Sequence, residues 1–310
     1  MVESLPSRTA LVASLMRALH SRADPSPLLD DPWGDRLVAR SEREAMTQRI
    51  LARMDPEARA RALLAPGSVL DEFMLSNTSF SGVVIRSRYA EDALREATIR
   101  GIRQYVLIGA GFDSFALRRP AFSDTLDIFE IDHPATQADK IQRINACGIS
   151  LPPSVHFIAA DLAKEDLVTV LARSPFRTDQ PAFFSWLGVT VYLTREANLA
   201  TLRAVASCGA QGSELVFTYA DRSVLAPDRS PHSENARLAA ASGEPYLCGF
   251  DPDELARELR RIGFEAIEDL DGNAMWDRYG GASPTVRRPP ASVHIALARM
   301  DKGQEIGAAS

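Results

Sequence analysis

Downstream of about residue 88, short apolar runs alternate with stretches suited to helices. The runs are Tyr105–Ile108, Leu126–Ile131, Val155–Ala159, Ala182–Trp186, Leu215–Tyr219, Ala266–Leu270 and Val293–Ala298. Most are bounded by Gly, Pro or Asp, and helix-compatible segments separate the first five. Strands covered on both faces read as continuous apolar runs, so the pattern predicts a doubly wound, mainly parallel α/β sheet of seven strands. Between the last two runs no clear helix is visible, and a hairpin there would add an antiparallel strand.

Upstream the texture is helical. Leu11, Val12, Leu15, Met16 and Leu19 recur at helical spacing. The turn Asp30-Asp31-Pro32-Trp33-Gly34 follows, then a charged helical run from Asp35 to Leu64, closed by Pro66-Gly67. The expected organisation is a helical N-terminal cap over 1–85 and a Rossmann-like core over 86–310. The stretch 223–249, with Pro227, Pro231 and Pro245, reads as an insertion over the carboxyl ends of the strands, where open α/β sheets bind ligands. Asp253 to Arg261 predicts a helix that buries Leu255, Leu259 and Ile262 and leaves Arg257, Arg260 and Arg261 to solvent. The helix Thr9–Leu19 has a narrow apolar stripe and no proline or cysteine anchor, so its docking is expected to be the weakest.

Composition narrows the function classes. Of the 310 residues 45% are hydrophobic and 25% charged, ordinary values for a folded domain. A net charge of −6 argues against nucleic acid as the partner. Cys147, Cys208 and Cys248 have no Cys-x-x-Cys spacing and suit free thiols in a reducing compartment. Nothing resembles a membrane span or an export signal, so a soluble, cytoplasmic protein is expected. His20, His133, His156, His232 and His294 are scattered without metal-ligand spacing, and no metal is expected. His133, beside Pro134, reads as part of a rigid turn rather than as a base. The oligomeric state is not legible.

Tyr105-Val-Leu-Ile108 runs directly into Gly109-Ala-Gly111-Phe-Asp113-Ser114. Glycines after a strand allow a tight turn and a ligand's close approach to the backbone. About twenty residues on, Phe129-Glu130-Ile131-Asp132 ends the second strand with a carboxylate able to accept from both ribose hydroxyls. Together these form the two ends of a nucleoside site. A dinucleotide site would want a third glycine where Ser114 stands. Asp113 beside it would repel a pyrophosphate but tolerate the cationic amino and sulfonium groups of S-adenosylmethionine.

The segments Arg86-Ser-Arg-Tyr-Ala-Glu-Asp-Ala-Leu94, Gly101 to Ser114 and Phe129-Glu-Ile-Asp-His-Pro134 carry a resemblance. They resemble the leucine carboxyl methyltransferase family, in its bacterial O-methyltransferase branch near polyketide-tailoring enzymes. The likeness continues through Ala160-Asp161-Leu162 and Trp186-Leu-Gly-Val-Thr-Val-Tyr192-Leu193. It is weaker in Arg17-Ala-Leu19 and Leu29-Asp-Asp-Pro-Trp33. The resemblance implies a class I methyltransferase fold with S-adenosyl-L-methionine as cofactor. By position it implies that Arg86 pairs with the methionine carboxylate, with Arg88 as the reserve candidate. Gly109, Gly111 and Asp113 would face the methionine and ribose. Asp132, or Glu130 if the strand end is misplaced by one step, would take the ribose hydroxyls. Asp161 and the Leu162 backbone would take the adenine. Trp186 is a candidate wall of the site or a core residue, and Tyr192 a candidate to reach the substrate. Many members carry a glutamate five residues before the tyrosine; here Leu187 stands there, which leaves that position without an assigned role.

The expected reaction is transfer of a methyl group to an oxygen nucleophile on a small molecule, a carboxylate or a hydroxyl, with polyketide-type metabolites included. A carboxylate is already ionised near neutral pH and needs no base, whereas a phenol or alcohol does. An NAD(P)-binding oxidoreductase and a non-catalytic relative remain as alternatives.

Overall fold

A computed structural model describes residues 7–65, 67–225, 236, 237, 239, 240 and 243–301. Its sheet has seven strands: β1 (Gln104–Ile108), β2 (Asp127–Asp132), β3 (Val155–Ala159), β4 (Ala182–Trp186), β5 (Glu214–Ala220), β6 (Phe264–Leu270) and β7 (Val293–Met300). Their order is β3-β2-β1-β4-β5-β7-β6. The first five pair in parallel, while β7 runs antiparallel between β5 and β6. The antiparallel addition is as expected, but its connection is not a hairpin. A helix, Gly272–Tyr279, lies between β6 and β7, capped by the Asp271 side chain on the Ala274 amide. It is only 8 residues long, too short for its apolar spacing to stand out.

The helices preceding it are α1 (Arg8–Ala23), α2 (Trp33–Leu37), α3 (Arg40–Arg53), α4 (Pro56–Ala62), α5 (Val69–Ser76) and α6 (Ser79–Ile99) before the first strand. Then come α7 (Phe115–Arg118), α8 (Pro134–Ala146), α9 (Leu167–Leu171), α10 (Arg195–Cys208) and α11 (Pro252–Ile262); Gly272–Tyr279 is α12. Local chemistry sets many of these ends. Ser7, Asp55, Thr194 and Asp251 each cap the helix that follows. Gly263, in the left-handed region at φ 103°, ends α11. The charged run 35–64 divides at Ala39 and at Asp55-Pro56, where the caps interrupt it.

Two apolar layers sandwich the sheet. On one face Leu15, Phe80, Val84, Phe115, Ile144 and Met275, from α1, α6, α7, α8 and α12, meet Tyr105 and Phe183. On the other Val170, Leu202, Val205, Leu255 and Leu259, from α9, α10 and α11, meet Phe129, Phe184 and Phe217. The division expected between residues 85 and 86 falls inside α6. Of the stretch 223–249, residues 226–235, 238, 241 and 242 lie outside the described residues.

The expectation of weak docking for the first helix is corrected. Leu11, Leu15, Met16 and Leu19 are all buried, each worth up to about 1.5–3 kcal/mol. Arg17 also reaches inward: its Nε donates to Asp31 at 2.7 Å and a terminal nitrogen donates to the Phe112 carbonyl at 2.7 Å. Burial pushes the Asp31 carboxyl up, but Arg17, Arg118 and Ser114 outweigh it and hold it below its ordinary value. The anchor is an ion pair, which an apolar stripe does not reveal.

Candidate functional site

The sheet's chain order reverses at β1, with β2 on one side and β4 on the other, and the crevice beyond such a reversal is where ligands bind. Here it opens into a cavity of about 1120 Å³. Its floor is Gly109–Asp113, Asp132, Ser185 and Leu187–Val189; residues of α1 and 243–247 cover it, and α3 and α5 form the outer wall. The volume lies at the upper end of the range for ligand pockets.

The floor is made by the β1 turn. Gly109 and Gly111 have φ of 68° and 51°, conformations that side chains resist. The amides of Gly109 and Ala110 donate to the Ile131 carbonyl, tying this turn to the end of β2. Asp132 accepts from the Gly111 amide at 2.5 Å and the His133 amide at 2.6 Å. Burial raises its carboxyl above the ordinary value, against the pull of those two amides. Asp113, just before α7, accepts from the Phe115 amide at 2.8 Å.

Arg86, on α6, projects into the same space. A Cβ on Gly188 would fall 2.6 Å from its guanidinium, so that glycine leaves room for the arginine. Burial pulls the guanidinium below its ordinary value, while Tyr192, Tyr246 and Asp113 favour its charge. Among the described residues no carboxylate lies within the 4.0 Å of an ion pair with it. Arg88, by contrast, is committed to Asp92 at 2.9 Å and to the Leu28 carbonyl at 2.7 Å. Tyr192 bonds to Thr9 and Tyr246, its ring 5.5 Å from that of Tyr246, and burial pushes both phenols up. Glu244 accepts from the Ser7 hydroxyl at 2.8 Å and the Thr9 amide at 3.2 Å, so the two covering segments meet.

Arg86, Gly109, Gly111, Asp113, Asp132 and Tyr192 therefore line one cavity, and so does Leu187. Glu130 lies on the same side of β2 as Asp132 but one step deeper, buried and paired with Lys140 of α8. Asp161 bonds to the Ala163 amide and to Lys164, and Leu162 packs against the second core layer. Trp186 is a core residue, 1% exposed, tilted on Phe217. The nicotinamide alternative fares poorly, because the position that would need a third glycine is Ser114, whose hydroxyl donates to Asp31. Residues missed from sequence are Gly188, Tyr246, Glu244 and Arg17. Gly188 and Arg17 stood inside the family-like segments; Tyr246 and Glu244 gave no local signal. Among the described residues no group of metal-ligating side chains assembles, and no helix is long and apolar enough to cross a membrane.

Comparison with known proteins agrees with this geometry. Residues 10–206 match the family described as leucine carboxyl methyltransferase. A Bacillus subtilis protein, YktD, named as a candidate S-adenosyl-L-methionine-dependent methyltransferase, is 32% identical over 281 residues, 88% of this chain and 91% of its own. A similarly named protein of Mycobacteroides abscessus is 30% identical over 67% of this chain and 65% of its own. A crystal structure of a duf574 family protein from Streptomyces avermitilis has the same fold, with a TM-score of 0.56 at 16% identity over 86% of this chain and 99% of that one. A Thermobifida fusca structure, titled as a candidate methyltransferase, gives 0.55 at 16% identity, covering 76% and 89%.

Proposed function

The chain belongs to the leucine carboxyl methyltransferase family and is an S-adenosylmethionine-dependent methyltransferase, and we propose that its acceptor is a small-molecule carboxylate, converted to a methyl ester. The observation that carries the choice of acceptor is that, among the described residues, no base without a partner of its own lines the cavity. No histidine lines the cavity among the described residues. The lining carboxylates are already engaged: Glu42 with Arg143, Asp113 and Asp132 with backbone amides, Glu244 with Ser7 and Thr9. Tyr192 and Tyr246 are held protonated by burial. Among the described residues a hydroxyl would meet no base that is not already hydrogen-bonded, whereas a carboxylate has no proton to lose.

The residues suit the cofactor. Arg86 offers a planar two-point fork with no carboxylate of its own, as a methionine carboxylate requires. Gly109 and Gly111 keep the turn open, and Asp132 stands at the strand end for the ribose hydroxyls. Asp161 and the Leu162 backbone, just past β3, are outside the cavity lining, and on this reading the adenine would extend toward them. Bound there, S-adenosylmethionine supplies an electrophilic methyl group on a cationic sulfur. The chain's own part is to hold the acceptor oxygen in line, which orientation alone can accelerate greatly, and to strip water from it beneath α1 and 243–247.

The ester is the test. Protein incubated with methyl-labelled cofactor and a metabolite extract should yield product that releases volatile methanol in mild alkali. An alkali-stable labelled product would exclude the ester, and the acceptor would then be a hydroxyl, polyketide-type compounds included, or a nitrogen, sulfur or carbon nucleophile.

A further inference from the structure

We propose that the acceptor is an apolar molecule with a second anionic group, remote from the reacting carboxylate, which Arg49 and Arg53 of α3 receive at the cavity's outer rim. This rests on the cavity being the methyl-transfer site. Its outer wall is apolar: Met46 and Ile50 of α3 face Leu70, Phe73 and Met74 of α5. Methionine suits such a wall because its flexible thioether packs against irregular shapes.

The charges on α3 divide by face. Arg40 pairs with Glu44 at 2.8 Å and Arg43 with Asp35 at 3.0 Å. Arg49 and Arg53, one helical turn apart, both line the cavity, both are exposed, and neither has an ion-pair partner among the described residues. Glu42, the acidic group of α3 on this cavity, is taken by Arg143, which donates to both its oxygens at 2.6 and 2.8 Å. In a chain with 41 acidic and 35 basic residues, two neighbouring cations thus stand uncompensated, among the described residues, at the rim of this apolar cavity. An anion entering along the apolar wall is steered and held there. A carboxylate or a phosphate ester both fit.

The test is equilibrium binding without turnover, using straight-chain α,ω-dicarboxylates, their monomethyl half-esters and ω-phosphonocarboxylates of matched length. Because no methyl transfer is read, failure of ester formation and failure of this proposal remain distinguishable. The wild type should prefer the dianion over the half-ester by about five-fold, a modest factor because the rim is wet, and the preference should shrink as salt rises. R49E/R53E should abolish the preference while binding S-adenosylhomocysteine as the wild type does, and R49K/R53K should retain most of it. A stronger preference for the phosphonate than for the dicarboxylate assigns the rim to phosphate, the reverse to carboxylate. Equal binding of dianion and half-ester, a preference that survives R49E/R53E, or no binding of any of these acids overturns the proposal.

Discussion

A guanidinium without a carboxylate partner is costly inside a protein, and Arg86 is held in that state by three neighbours. Gly188 leaves the space it occupies, and Tyr192 and Tyr246 favour its charge without neutralising it. If it receives the methionine carboxylate, Arg86→Ala should weaken S-adenosylhomocysteine binding by about 2–5 kcal/mol in a calorimetric titration. Arg86→Lys should recover only part, since an ammonium lacks the planar fork. Adenosine, which has no carboxylate, should bind wild type and variant alike; an equal loss for adenosine would place Arg86 in the fold instead. Gly188→Ala should mimic the loss from the other side, because its Cβ would displace the guanidinium and its φ of 71° would add strain.

At the scale of elements, α1 decides more than its sequence suggests. Ala10 sits where a Cβ on Gly111 would come within 2.9 Å, so this helix lies directly on the β1 turn while Arg17 holds the Phe112 carbonyl. Deleting residues 1–20 should therefore cost the fold as well as activity, seen as a lost cooperative thermal transition. His20 adds a pH dependence. Its Nε2 accepts the Leu28 amide at 2.8 Å, and burial pushes its proton affinity below the ordinary 6.5, partly opposed by Asp24. As pH falls through 6.5 the unfolded chain takes up a proton that the folded one refuses, so stability drops from there downward until the folded His20 is protonated too. The thermal midpoint should follow that slope below pH 6.5, and His20→Gln should flatten it.

Across the whole molecule, binding at the sheet's reversal point should be felt by the cover. S-adenosylhomocysteine at about a hundred times its Kd should add about 2.7 kcal/mol of stability. Hydrogen exchange should slow at Gly109–Asp113 and, through Ala10 and Arg17, in α1 before any acceptor is present. Residues 243–247 should follow, because Glu244 is tied to Ser7 and Thr9. Protection confined to the β1 turn would show that the cover moves independently of the cofactor.

The sheet was legible in the chain because apolar runs between helices report burial on both faces, which is a local property. So was the place of the candidate site, since Gly109, Gly111 and Asp132 sit at strand ends and in a turn that neighbouring residues specify. Other features depend on groups far apart in sequence, and local pattern cannot show them. Arg17 reaches Phe112, Glu244 reaches Ser7, Glu130 points the same way as Asp132 yet disappears beneath Lys140, and Trp186 turns into the core. Hydrophobic period records whether a position is buried; only the packed chain determines which partner a buried charge meets, and hence which charges are left for a ligand.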